Sequence, residues 1–218
     1  MTLIRTTIII LFVSLLMACS GAASRPDIAS QGIHSETQRP LLNSERIRQQ
    51  FGSYGIEVVQ QDDRLRVSNL YSLETGARIT RTLAVVFFPE TIPAPLRAEH
   101  DAIKSGQSIG EEFRKNGWKV QKQNLYVGEL AATPEFADVY TAMGEITAVD
   151  LAVHIYQLLV SKDSHRYPYA TIAEIHHPEY LDLIELRAIY SGGNAMPGLT
   201  QDDVDEALDA VVEVMKRY

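Results

Sequence analysis

An α+β domain, a mainly antiparallel sheet with flanking helices, is the fold class this sequence predicts, and three observations carry it. Residues 64–88, RLRVSNLYSLETGARITRTLAVVFF, read as two β-strands about a turn, with SLETG as the turn signal and Gly76 able to take a positive φ. WKVQKQNLYVGEL and TAVDLAVHIYQLLV read as further strands, the second placing Val149, Leu151, Val153 and Ile155 on one face. The C-terminal TQDDVDEALDAVVEVMKRY reads as an amphipathic helix. Thr200 and Asp203 cap it, Val204, Leu208, Val211 and Met215 form its stripe, and Lys216 and Arg217 sit at its negative end. Strands and helices that segregate along the chain in this way give an α+β domain with helices packed on the sheet.

The chain divides into 1–18, 19–40 and 41–218. Residues 1–18 read as a signal peptide: Arg5 supplies a charge, and the apolar run TIIILFVSLLM is too short to span a bilayer comfortably. Leu16-Met17-Ala18-Cys19 resembles the lipobox of bacterial lipoproteins. That resemblance implies cleavage before Cys19, a diacylglycerol with palmitate-type chains on its sulfur, and a bilayer contact through that lipid. Cys19 is the single cysteine of the 218 residues, so no disulfide framework exists and the core must hold by packing. Ser20, where inner-membrane lipoproteins usually carry Asp, points by the same resemblance to the outer membrane, facing the periplasm. Residues 19–40 are small, polar and aperiodic, a flexible tether.

Within 41–218, LNSERIRQQFGSYG reads as a short helix with Ile47 and Phe51 four apart, and GIEVVQQ as the first strand. IPAPLRAEHDAIKSG and SIGEEFRKNG read as two short helices closed by glycines, and PEFADVYTAMG as a helix opened by Pro134. YATIAEIHHPEYLDLIELRAIY reads as a hairpin turning at His177-Pro178-Glu179, and SGGNAMPG as a linker to the last helix.

The candidate chemistry lies in charges on apolar strand faces. On a strand, Arg81 shares its row with Ile79, Leu83, Val85 and Phe87, and an isolated ion there costs several kcal/mol. Glu185 poses the mirror problem among Leu181, Leu183 and Ile189, while Arg66 shares a row with Ser68 and Leu70. Either Arg81 and Glu185 pair as a structural bridge, or Arg66, Arg81 and Glu185 surround a carboxylated ligand. His154, Glu174 and His176 can share a face, and His177 could add a fourth ligand, but they lack a metal-ligand spacing motif, so no metal and no cofactor is expected. A formal charge of −8 and no basic run exclude a nucleic-acid surface. GxGxxG and Walker patterns are absent from the sequence.

The order IRQQFGSYGIEVVQ, LRVSNLYSLETGARITRTLAVV, SIGEEF, LIELRAIY resembles chorismate lyase and the effector-sensing domains of bacterial transcription regulators that share its fold. The resemblance implies that Arg66 holds a ligand carboxylate and Glu185 is the pocket acid, with Ile47 and Ile109 as aliphatic contacts and Arg81 on the second hairpin strand. If the chain is an enzyme, it implies a lyase releasing pyruvate and 4-hydroxybenzoate, with Arg66 and Glu185 as catalytic residues. An exported chain would rarely meet chorismate. The expected function is therefore binding of a small aromatic carboxylate, or a scaffold for an envelope protein partner.

Overall fold

Two long hairpins, laid edge to edge, build the sheet. The computed structural model describes residues 41–131, 133–144, 146, 149–190 and 200–218. The signal segment, Cys19, the tether and the SGGNAMPG linker lie outside the described residues. Strands β1 (Gly55–Gln61), β2 (Leu65–Glu74), β3 (Ala77–Phe87), β4 (Lys119–Leu130), β5 (Leu151–Lys162) and β6 (His165–His176) form one antiparallel sheet in the order β1-β2-β3-β6-β5-β4. The predicted α+β class is what the chain adopts. Gly76, at φ 89°, turns the β2–β3 hairpin as its sequence requires. Asp163, at φ 54°, turns the β5–β6 hairpin, a left-handed position that Asp tolerates through its short polar side chain.

The helices are α1 (Asn43–Phe51), α2 (Arg97–Lys104), α3 (Ile109–Lys115), α4 (Ala137–Ala142), α5 (Leu183–Tyr190) and α6 (Gln201–Met215). One face of the sheet presents Val67, Leu83, Val85, Val153, Ile155 and Ile175 to Val139 of α4 and to Val211 and Met215 of α6. The Thr200–Asp203 capping box opens α6 as predicted. Val149 precedes β5 and is exposed, so the inward row starts at Leu151. The other face lies under α1, α2, α3 and α5, with separate apolar clusters around Phe113–Tyr169 and around Ile47–Leu186.

Two sequence expectations are corrected here. The segment 183–190 is a helix, and the segment 165–176 pairs with β5 and β3 instead. Asp182 and Glu185 explain why. The Glu185 N–H donates to Asp182 Oδ1 at 2.8 Å, and the Asp182 N–H donates to Glu185 Oε2 at 3.2 Å, a reciprocal cap that starts a helix. Leu186, fully buried, then anchors it, and the alternation of Leu181, Leu183 and Glu185 is incidental.

Arg81 does not stay in its apolar row. The β2–β3 register passes from Leu70↔Thr82 to Tyr71↔Thr80, so Arg81 is one extra residue in β3, a bulge that breaks the alternation. Its guanidinium lies 3.9 Å from the Phe51 ring centre. Nε donates to Ser72 Oγ at 2.9 Å, Nη1 to Glu179 Oε2 at 3.2 Å, and Nη2 to Glu74. The structural ion pair exists, but its partners are Glu74 and Glu179, and Glu185 takes no part.

Candidate functional site

Cross-strand pairing on the sheet face beneath α1 and α3 sets out two rows. Arg66, Val86, Ile172, Tyr156 and Asn124 are successive partners in the first, and Ser68, Ala84, Glu174 and His154 in the second. These rows floor a cavity of about 940 Å³, walled by Leu42 at the N-cap of α1, Arg46 of α1, Ile109 and Gly110 of α3, Ile56 of β1 and Tyr190 of α5. A Cβ at Gly110 would meet Leu42 Cδ2 at 2.7 Å, so a larger residue there would push the Leu42 side chain aside. Five basic side chains (Arg46, Arg66, Arg114, Lys119, Lys122) and one acid, Glu174, are among the described lining residues. Arg114 is paired with Glu45 and Lys122 with Glu174, so in a chain of net charge −8 it is Arg46, Arg66 and Lys119 that shift the lining toward positive potential and favour an anion.

Arg66 stands at the β2 end of the floor, 1% exposed. Nε donates to Ser68 Oγ at 2.9 Å, and Nη1 donates to the carbonyls of Ile103 at 2.8 Å and Gln107 at 3.0 Å. Nη2 donates to none of the described residues. Every acceptor is neutral. The titratable groups nearest in effect are Tyr54 and Tyr169; burial pushes Tyr54 up to about 12 and Tyr169 higher still, so both are uncharged at neutral pH. Burial pulls the guanidinium below its ordinary value, yet an arginine stays protonated. Among the described residues, the result is a buried cation with no carboxylate beside it, an arrangement that costs several kcal/mol unless an anion joins it.

The β4 end is different, because its charge is compensated. Lys122 Nζ donates to Glu174 Oε2 at 2.7 Å and to Tyr190 Oη at 3.2 Å, and the Tyr156 hydroxyl donates to Glu174 Oε1 at 3.0 Å. Nζ also lies 4.2 Å from the Tyr156 ring centre. Burial pushes the Glu174 carboxyl upward, but the Lys122 ammonium above all outweighs it, and the group is held at about 2. Burial likewise pulls Lys122 down, and Glu174 overrides it, leaving the ammonium well above its ordinary value.

His154 and His176 flank this pair as neutral rings. His154 Nε2 donates to Asn124 Oδ1 at 2.8 Å, and the ring lies 3.9 Å from that of Tyr190. Burial first, then Lys122, lowers it to about 2. His176 Nδ1 meets Thr82 Oγ1 at 3.1 Å, and burial lowers it to about 4.

Of the residues the sequence singled out, Arg66 and Ile109 line the cavity. Ile47 is fully buried in the cluster under α1 rather than at the cavity surface. Arg81 sits at its bulge, and Glu185 is exposed at the start of α5, so neither joins Arg66. His154, Glu174 and His176 do share a face, while His177 turns to accept the Glu179 N–H at 3.0 Å. Among the described residues, no three His, Cys, Asp or Glu side chains are grouped to hold a metal ion. Sequence reasoning missed Lys122, although Val120, Lys122 and Asn124 alternate on one side of their strand. It weighed Glu174 only as a metal ligand, when its row with Ile172 marks it as the buried acid. No family model matches this chain, and no curated protein matches it.

Proposed function

We propose that this chain is a lipoprotein of the cell envelope, anchored through Cys19 and residing at the outer membrane, whose domain binds a small carboxylated ligand with Arg66 as the countercharge. The observation that carries the binding reading is the buried Arg66 guanidinium, which has one unpartnered amino group and only neutral acceptors. The basic lining supports it. The likeness to chorismate lyase adds the expectation of an aromatic acid. The acid that this likeness assigns, Glu185, lies on α5 and outside the cavity, and the acid that lines the cavity is Glu174.

Binding is favoured over turnover because Glu174 is ionised and already bonded to Lys122 and Tyr156, so it has no proton to give a leaving enolpyruvate. The full chain in proteoliposomes should bind 4-hydroxybenzoate or a related carboxylate, measured by equilibrium dialysis of radiolabelled ligand. Arg66→Met should weaken binding at least tenfold, and Glu185→Ala should leave it unchanged. Equal binding by the Arg66 variant would remove the basis of this reading. Pyruvate release from chorismate that Arg66→Met and Glu174→Gln both abolish would make the chain a lyase.

The anchor has its own test. Cys19→Ser should abolish incorporation of labelled palmitate and move the protein from the membrane to the soluble fraction. Retention of the variant in membranes would point instead to an uncleaved apolar segment.

A further inference from the structure

The two ends of the cavity floor differ in charge balance, and that difference defines the occupant more closely than an aromatic acid. We infer that the cavity takes a long-chain carboxylic acid, of the fatty-acid class, with its head at Arg66 and its chain along the floor toward β4. This rests on the anion reading above and extends it.

Length comes first. Floor residues are drawn from β2, β3, β6, β5 and β4 in spatial order. Four strand spacings of about 4.8 Å make that floor roughly 19 Å across. The volume, about 940 Å³, is at the upper end of pockets that hold drug-sized molecules, and a single-ring acid fills only a fraction of it. Charge comes second. Arg66 lacks an anion, whereas Lys122 already has Glu174, so the site calls for one acidic head and not two. Polarity comes third. Ala84, Val86, Leu158 and Ile172 supply the floor between the two ends, where an alkyl chain displaces water from apolar surface. Leu41 and Ile189, at 42% and 37% exposure, are exposed apolar side chains in the same lining, as an entry for an amphiphile requires.

The test uses the full chain in proteoliposomes, with protein-free liposomes as the blank and three radiolabelled probes: dodecanoate, its methyl ester and 4-hydroxybenzoate. Dodecanoate should bind at least tenfold more tightly than either of the others. Arg66→Met should reduce its binding at least tenfold, and Arg66→Lys, which keeps the charge, should lose less. If Arg66→Met does not fold, the ester comparison on the native chain decides the role of the head. Arg66-dependent binding of 4-hydroxybenzoate without binding of dodecanoate overturns this inference and leaves the small-acid reading standing. Binding of none of the probes, or equal binding of acid and ester, overturns both.

Discussion

Lys122→Met should destabilise the protein by about 3–5 kcal/mol, because it leaves Glu174 as a buried carboxylate without its counterion. Glu174 is 5% exposed and receives hydrogen bonds from Lys122 and Tyr156. With the lysine gone, one phenolic hydrogen bond must stabilise a full charge. The double variant Lys122→Met, Glu174→Leu removes both charges and should recover most of the loss, since a buried pair replaced by apolar groups of similar size is often neutral. Urea unfolding midpoints for the four members of the cycle measure this directly. A small, additive effect of the two single substitutions would mean that the pair is solvated and the cavity wetter at β4 than described.

Acidification should destabilise the protein in two stages. His154 and His176 are held at about 2 and about 4, below the histidine value of 6.5. In the unfolded chain both take up protons below about pH 6.5, so the unfolded state binds more protons and stability falls as pH drops. Each ring contributes up to about 1.4 kcal/mol per pH unit while its folded form stays neutral. His176 stops contributing near pH 4 and His154 near pH 2. Glu174 adds the second stage. Its folded value of about 2 lies below the ordinary 4.5, so its contribution is complete above about pH 4.5 and is lost as pH falls toward 2. Stability at pH 4.5 should therefore be several kcal/mol below that at pH 7, and His154→Asn and His176→Asn should each flatten the slope. A flat profile from pH 7 to 4.5 would mean that both rings protonate freely in the folded protein.

Most of the architecture was legible because period-two alternation and turn chemistry are local. The β2–β3 hairpin, β4, β5, the short helices and the capped α6 all follow from neighbours in sequence. The last hairpin failed where two patterns overlapped: YLDLIELRAIY alternates like a strand, while Asp182 and Glu185 form a helix cap three residues apart. The cap decides, since Leu186 and Tyr190 then fall on one helical face. Arg81 was unreadable for another reason. A single-residue bulge has no composition signal, and it turns a charge out of the row that alternation assigns to it.

The site was legible only in part. Arg66 stood out as a charge on an inward row, and it is buried at the cavity. Glu174 was passed over because reading 180–190 as the final strand drew the acid to Glu185, whereas β6 is the last strand of the chain. Glu174 and Lys122 meet across β6, β5 and β4, a relation of register that no single segment carries.

The central claim is that Arg66 awaits an anion inside this cavity. A crystal of the protein grown with 4-iodobenzoate, with the iodine located by its anomalous scattering, tests it most directly. The account predicts an iodine peak within the cavity and the ligand carboxylate within hydrogen-bonding distance of the Arg66 guanidinium. Iodine found only on the outer surface, with Arg66 still bonded solely to Ser68, Ile103 and Gln107, would contradict it.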